Sequence, residues 1–221
     1  MYAARLLMES NRSEDQAEGR EILARLVAAG EKSLTVSALA AQDAALRRAW
    51  EEARPHLDRL LTERRSPQDL LLAYTVERSL GNWPAALAYA RELYQADPAN
   101  DEGAIAYIYS LIGIGRRSEA GTLLETRLAA AGQGILKSRY YYLRSLLHSG
   151  EEAAMNDLHS SLFENPRNLN ALTAMFEIYH RRRDERRALY YLKQALAIAP
   201  DDPQLKHYEA EYEQTHTSTQ F

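Results

Sequence analysis

Apolar residues recur along most of this chain with the spacing of a helix, and polar clusters interrupt them at intervals. Leu172, Met175, Phe176 and Tyr179 lie three, one and three apart, the stripe of one helical face. Arg181 to Arg187 break that pattern. Ala188, Leu189, Leu192 and Leu196 resume it, and Pro200 ends it, because proline lacks a backbone N–H and its ring clashes with the preceding turn. The spacing predicts two helices and then a stop.

The unit repeats. Pro67 to Asp202 divide into four equal blocks, starting at Pro67, Asp101, Ile135 and Leu169. The twentieth place is Ala86, Ala120, Ala154 and Ala188, which predicts four equivalent buried sites where helices come close. The thirty-second place is a helix breaker, Pro98, Gly132, Pro166 or Pro200. The twenty-eighth is apolar, Tyr94, Leu128, Leu162 or Leu196, and so is the eighth, Tyr74, Ile108, Tyr142 or Phe176. Four ladders in one frame, without an insertion, predict a repeat array. In the first block Gly81-Asn82 supplies the turn, and Pro84 suits a first helical turn.

The flanks read as further helices. Tyr2 to Glu9, about 14–29, 34–46 and 49–63 are expected before Pro67, with Ser13 and Gln16 as a capping pair. Ala53 falls one place short of a full period before Ala86, and Ala17 falls two places beyond a full period before Ala53. The alanine ladder is therefore expected to run backwards with small slips. Pro55 should start or bend its helix. Asp202 and Pro203 open a last helix over 203–214, with Leu205, Tyr208 and Tyr212 on one face and charges on the other. A polar-backed helix at an open end suits an array that must be capped. The expected organisation is two divergent helix pairs over 1–66, four repeats over 67–202, a capping helix over 203–214 and a frayed tail over 215–221, all one continuous solenoid.

Several of these residues carry a family likeness. They are Gly81, Trp83, Ala86 and Asp97-Pro98-Ala99-Asn100; Gly115, Ala120 and Leu124; Ala154, Leu158 and Asn165-Pro166-Arg167-Asn168; and Leu172, Tyr179, Ala188, Ala195 and Pro200. With them, and with its 34-residue period, the chain resembles the tetratricopeptide repeat family. It departs from that family at the eighth place, where all four residues are large. It departs also at Arg183, which replaces a turn glycine, and at Gly150, a glycine one place late.

The resemblance implies an all-α fold, a right-handed solenoid of stacked antiparallel helix pairs. It also implies a non-catalytic protein-interaction scaffold whose concave groove is lined by the fifth, ninth and twelfth places. Here those are Leu71, Thr75 and Arg78; Ile105, Tyr109 and Ile112; Arg139, Leu143 and Leu146; Thr173, Glu177 and His180. The set lacks the lysines and asparagines with which some members clamp a peptide's C-terminal carboxylate. Its apolar middle points instead to an apolar or amphipathic segment. The alternatives are a carrier holding a small hydrophobic ligand such as a lipid in the groove, and a self-assembling structural component, hence a homo-oligomer.

Composition narrows the classes. A net charge of −4 and a pI near 5.9 argue against nucleic-acid binding, which needs a basic face. Without cysteine there is no disulfide, thiolate catalysis or cysteine metal site. No apolar run reaches the roughly 18 residues of a membrane span. Met1-Tyr2-Ala3-Ala4-Arg5 lacks the pattern of a signal peptide. The compartment stays open: cytoplasmic, or periplasmic or exported for a chain whose signal or lipid anchor has been removed.

Candidate chemistry is thin. Gly113-Ile114-Gly115-Arg116-Arg117 follows a predicted helix, not a strand, and reads as a turn rather than a phosphate loop. His56, His148, His159, His180, His207 and His216 include no pair three or four apart, so neither a metal site nor a cofactor is expected. Glu151-Glu152 and Asp184-Glu185 sit at predicted helix starts, where they complement the helix dipole. Asn11-Arg12-Ser13 is a formal glycosylation sequon. Arg181, Arg182, Arg183, Arg186 and Arg187 could receive an acidic partner, or form a solvated turn. Tyr140-Tyr141-Tyr142 cannot share one helical face, so at least one ring should be partly exposed. No catalytic constellation stands out, and an enzyme is not expected.

Overall fold

The structure is a computed structural model and describes residues 2–218 apart from 11 and 32. The described residues form thirteen helices and no strand. They group into two compact units that divide between Gly115 and Arg116. The first holds α1 (Tyr2–Met8), α2 (Ser13–Ala28), α3 (Leu34–Leu46), α4 (Trp50–Glu63), α5 (Pro67–Ser79), α6 (Trp83–Ala96) and α7 (Asp101–Gly113). The second holds α8 (Arg117–Ala130), α9 (Ile135–Ser145), α10 (Glu151–Glu164), α11 (Leu169–Arg181), α12 (Glu185–Leu196) and α13 (Pro203–Ser218). Asn11 of the sequon and residues 219–221 of the expected tail lie outside the described residues. The last helix continues past the expected end at 214.

Helices start at Pro67, Asp101, Ile135 and Leu169, and their partners at Trp83, Arg117, Glu151 and Glu185. Both series step by the period of the ladders. The residue before each block explains the starts. Ser66 accepts from the Asp69 N–H, Asn100 from Glu102 and Gly103, and Asn168 from Ala171, each satisfying N–H groups that the first turn leaves orphaned. Gly134 breaks the series. Its φ of +103° is open to glycine, and its N–H donates to Glu164 Oε2 at 2.7 Å. Ser13 does not cap α2. Ser10 Oγ donates to Asp15 Oδ2 at 2.7 Å, and Gln16 Nε2 donates to the Ser10 carbonyl at 2.8 Å.

The first helices of most pairs stop through a left-handed residue at the fifteenth place of their block. Gly81 and Gly115 do so without strain, while Arg48 and Arg183 do so with φ of +58° and +56°. The third block has no such residue. There α9 stops at Ser145, and α10 starts from Gly150 in extended backbone.

The core follows from these turns. Ala86, Ala120 and Ala188 are fully buried. Ala154 is only half-buried, and Met155 beside it takes the inward place. The block without the tight turn is thus the one whose alanine fails to seat. The large eighth residues are matched by small neighbours: Tyr74 packs in one cluster with Ala86, Ala90 and Ala106. Ladder extension towards the N-terminus also needs correction. Ala17 is exposed, and the small buried residue of α2 is Gly19, one full period before the buried Ala53. A Cβ there would lie 2.8–2.9 Å from Met8 and the Ala4 carbonyl, so only glycine lets α1 and α2 approach so closely. Pro55 lies inside α4, which continues to Glu63.

Candidate functional site

Within the first unit, six of the predicted residues lie on α5 and α7. Leu71, Thr75 and Arg78 on α5, and Ile105, Tyr109 and Ile112 on α7, are all half-buried. Their helical neighbours Leu70, Ala73, Val76, Ala104, Ile108 and Leu111 are buried, so the six form the rim of the packed stripe. Aromatic stacking orders the centre. The Arg78 guanidinium lies over the Tyr109 ring at 5.3 Å and the Tyr74 ring at 5.7 Å. Tyr109 in turn meets Trp83 at 5.7 Å between centroids. Trp83 reaches that position because Gly113 has no side chain: a Cβ there would sit 2.2 Å from the indole. Trp83 and Tyr74 belong to this arrangement although neither occupies the fifth, ninth or twelfth place. The aromatic residue that opens α6 next to a glycine-ended α7 was the sequence signal for the former.

The corresponding residues of the second unit are arranged differently. Arg139, Leu146 and Thr173 are half-buried and Glu177 is exposed. Leu143 is 2 % exposed and belongs to the core, so it offers no free surface. His180 is covered from within its unit: Nδ1 lies 2.8 Å from the Tyr212 hydroxyl, and its ring packs against Phe176 and Tyr208. The helix expected to cap the array, α13, thus sits on the twelfth place of α11.

Other candidates resolve into local structure. Residues 113–115 are the end of α7 and its left-handed turn. Glu151 accepts from Arg181 at 3.2 Å and Arg182 at 2.5 Å, and Arg187 pairs with Asp184, which caps α12. The Arg182 bond holds the Glu151 carboxyl below its ordinary range despite some desolvation. Three of the five arginines of that cluster therefore have carboxylate partners. Burial pushes the His56 imidazole down, against a smaller opposing effect of Glu52. His148 Nε2 lies 2.7 Å from Asp157 Oδ2, and Arg144 grips the same carboxylate at 2.7 and 2.9 Å. Tyr140 is buried, whereas Tyr141 and Tyr142 are half-buried; Tyr141 carries Arg144 5.2 Å above its ring. Among the described residues no three His, Asp or Glu side chains converge as a metal site. Nor is any described helix long and apolar enough to cross a membrane. An open cleft of about 390 Å³ on α2, α3 and α4 has walls that include Leu23, Val27, Arg20 and Arg47, none of them predicted groove residues.

No protein-family model and no curated relative matches the chain. Solved structures do. TTC0263, a thermophilic TPR protein of Thermus thermophilus, is similar over 81% of this chain and 98% of its own, at 21% identity and a TM-score of 0.59. PilW, a type IV pilus biogenesis factor, is similar over 94% and 96%, at 15% identity and a TM-score of 0.60. MamA of Desulfovibrio magneticus RS-1 is similar over 78% and 98%, at 19% identity and a TM-score of 0.51. This chain has the fold of the tetratricopeptide-repeat proteins, the all-α class of stacked antiparallel helix pairs.

Proposed function

We propose that the protein is a non-catalytic interaction scaffold that takes an apolar or amphipathic peptide segment on the face formed by α5 and α7. The observation that carries this reading is the partly open row Leu71, Ile105, Tyr109 and Ile112, gathered around the stack of Arg78, Tyr109 and Trp83. Apolar side chains left open to water favour a partner that covers them. Tryptophan, tyrosine and arginine are the residues that most often dominate binding energy at protein interfaces. The rings are fixed by mutual contact before any partner arrives, which lowers the ordering cost of binding. A segment laid across two neighbouring helices would bury its own apolar face there.

The test combines partner capture with a melt. Bait protein carrying Ile105→Glu or Tyr109→Glu should lose a partner that the unaltered chain retains from a lysate of its source cell, while melting within a few degrees of it. Unfolding of both variants would mean that the row is core packing and would overturn the reading. Retention of the partner by both folded variants would move the site elsewhere. Recovery of a lipid in place of a protein would favour the carrier alternative, and mass rising with concentration would favour self-assembly.

A further inference from the structure

The α5–α7 face holds one charge, and its setting is unlike that of four other arginines of the first unit. Arg20 binds Asp43, Arg54 grips Glu77 through two nitrogens, Arg64 grips Asp69, and Arg65 grips Glu92. Arg78 has no such partner: among the described residues no carboxylate lies within ion-pair distance of it. Its guanidinium rests instead over Tyr74 and Tyr109, with apolar Leu71, Ile105 and Ile112 on the same face. A guanidinium over aromatic rings keeps its planar fork of N–H donors available at the edge, and that fork matches a carboxylate. Among the described residues no carboxylate of the face accepts from it.

We propose that Arg78 is the anchor for an internal aspartate or glutamate of the partner, flanked by apolar residues. The inference rests on the α5–α7 face being the binding surface and adds the chemistry of what binds. A side-chain carboxylate suits the site better than a chain end. A chain end carries the same carboxylate, so what favours a side chain is the shortage of further polar partners: Thr75 already donates its hydroxyl to the Leu71 carbonyl at 2.8 Å, and Tyr109 offers the only other hydroxyl among the six. The apolar flanks of such a segment would cover Ile105, Tyr109 and Ile112.

A random peptide library displayed through its C-terminus, and so without a free C-terminal carboxylate, tests this against the full chain. The recovered peptides are then made with an amidated C-terminus, and binding is read by fluorescence anisotropy. They should carry an Asp or Glu between apolar residues. Replacing that acid by Asn or Gln, or replacing Arg78 in Arg78→Gln, should each weaken binding about tenfold, and the two together no further than either alone. The Arg78→Gln melt checks that the variant is folded. Peptides that bind in a way sensitive to Tyr109→Glu but indifferent to the acid and to Arg78 would overturn the anchor and leave the surface standing. Binding restored to acid-free peptides by a free C-terminal carboxylate would overturn the internal-acid assignment. No selected peptide, or binding indifferent to Tyr109→Glu, would overturn the anchor together with the surface.

Discussion

At the scale of single residues, the fold is decided by where side chains are missing and where the backbone turns left-handed. Arg183 occupies a conformation that costs an L-residue about 1–2 kcal/mol and glycine almost nothing. Arg183→Gly should therefore raise stability by about 0.5–1 kcal/mol after glycine's larger unfolded-state entropy is subtracted. A urea midpoint that falls would contradict this account of the turn. Gly113→Ala should act in the opposite sense. The added methyl meets the Trp83 ring, so the variant should lose roughly 1–3 kcal/mol and shift its tryptophan fluorescence. The first site was visible in the sequence as a missing turn glycine, whereas Gly113 read only as part of a turn and gave no sign of the Trp83 ring against it. Ala154 was not legible in the same way. Its alanine fits the ladder, but whether the helices close on it depends on the turn at 146–150, which no ladder records. Gly19 was missed because an alanine stood two residues away and drew the ladder to itself.

At the scale of elements, carboxylates at helix starts and between neighbouring pairs hold the stack. Burial pushes the Asp69 carboxyl up, but the hydrogen bonds of Arg64 and Ser66 outweigh it and hold it below the ordinary 3.8. A carboxyl depressed in the folded state stabilises above its unfolded value, and that contribution is lost as pH falls through the folded value. Asp69→Asn should therefore cost stability at neutral pH, and its penalty should shrink in melts taken below about pH 4. A penalty independent of pH would show that the ion pair is not its source. At the other end, Leu205, Tyr208 and Tyr212 of α13 cover Phe176 and His180. Removing residues 203–221 should lower the melting temperature and the solubility by exposing that cluster. An unchanged melt would deny α13 its covering role. The existence of this helix was legible from Asp202-Pro203. Its contact with His180 was not, because a histidine that ends a helix gives no sign of which side is covered.

At the scale of the whole molecule, one period runs through both units. Helix starts recur in step with the ladders, and a longer-range pairing repeats with them: Arg20 to Asp43 and Arg54 to Glu77 each link a second helix to the next first helix. Periodicity made the architecture readable, since each ladder reports the same local packing several times over. It made the functional face less readable, because periodicity assigns equal roles to equivalent places. Leu143 and Tyr109 share the ninth place, yet one is core and the other is half-open, and Tyr74 and Trp83, which pack around Arg78 and Tyr109, come from other places altogether. Hydrogen–deuterium exchange on the full chain, with and without its captured partner or a selected peptide, tests the proposed surface most directly. Slowed exchange confined to α5, α7 and the start of α6 is the predicted result, and slowed exchange centred on Arg181 to Arg187 with α5 and α7 unchanged would contradict it.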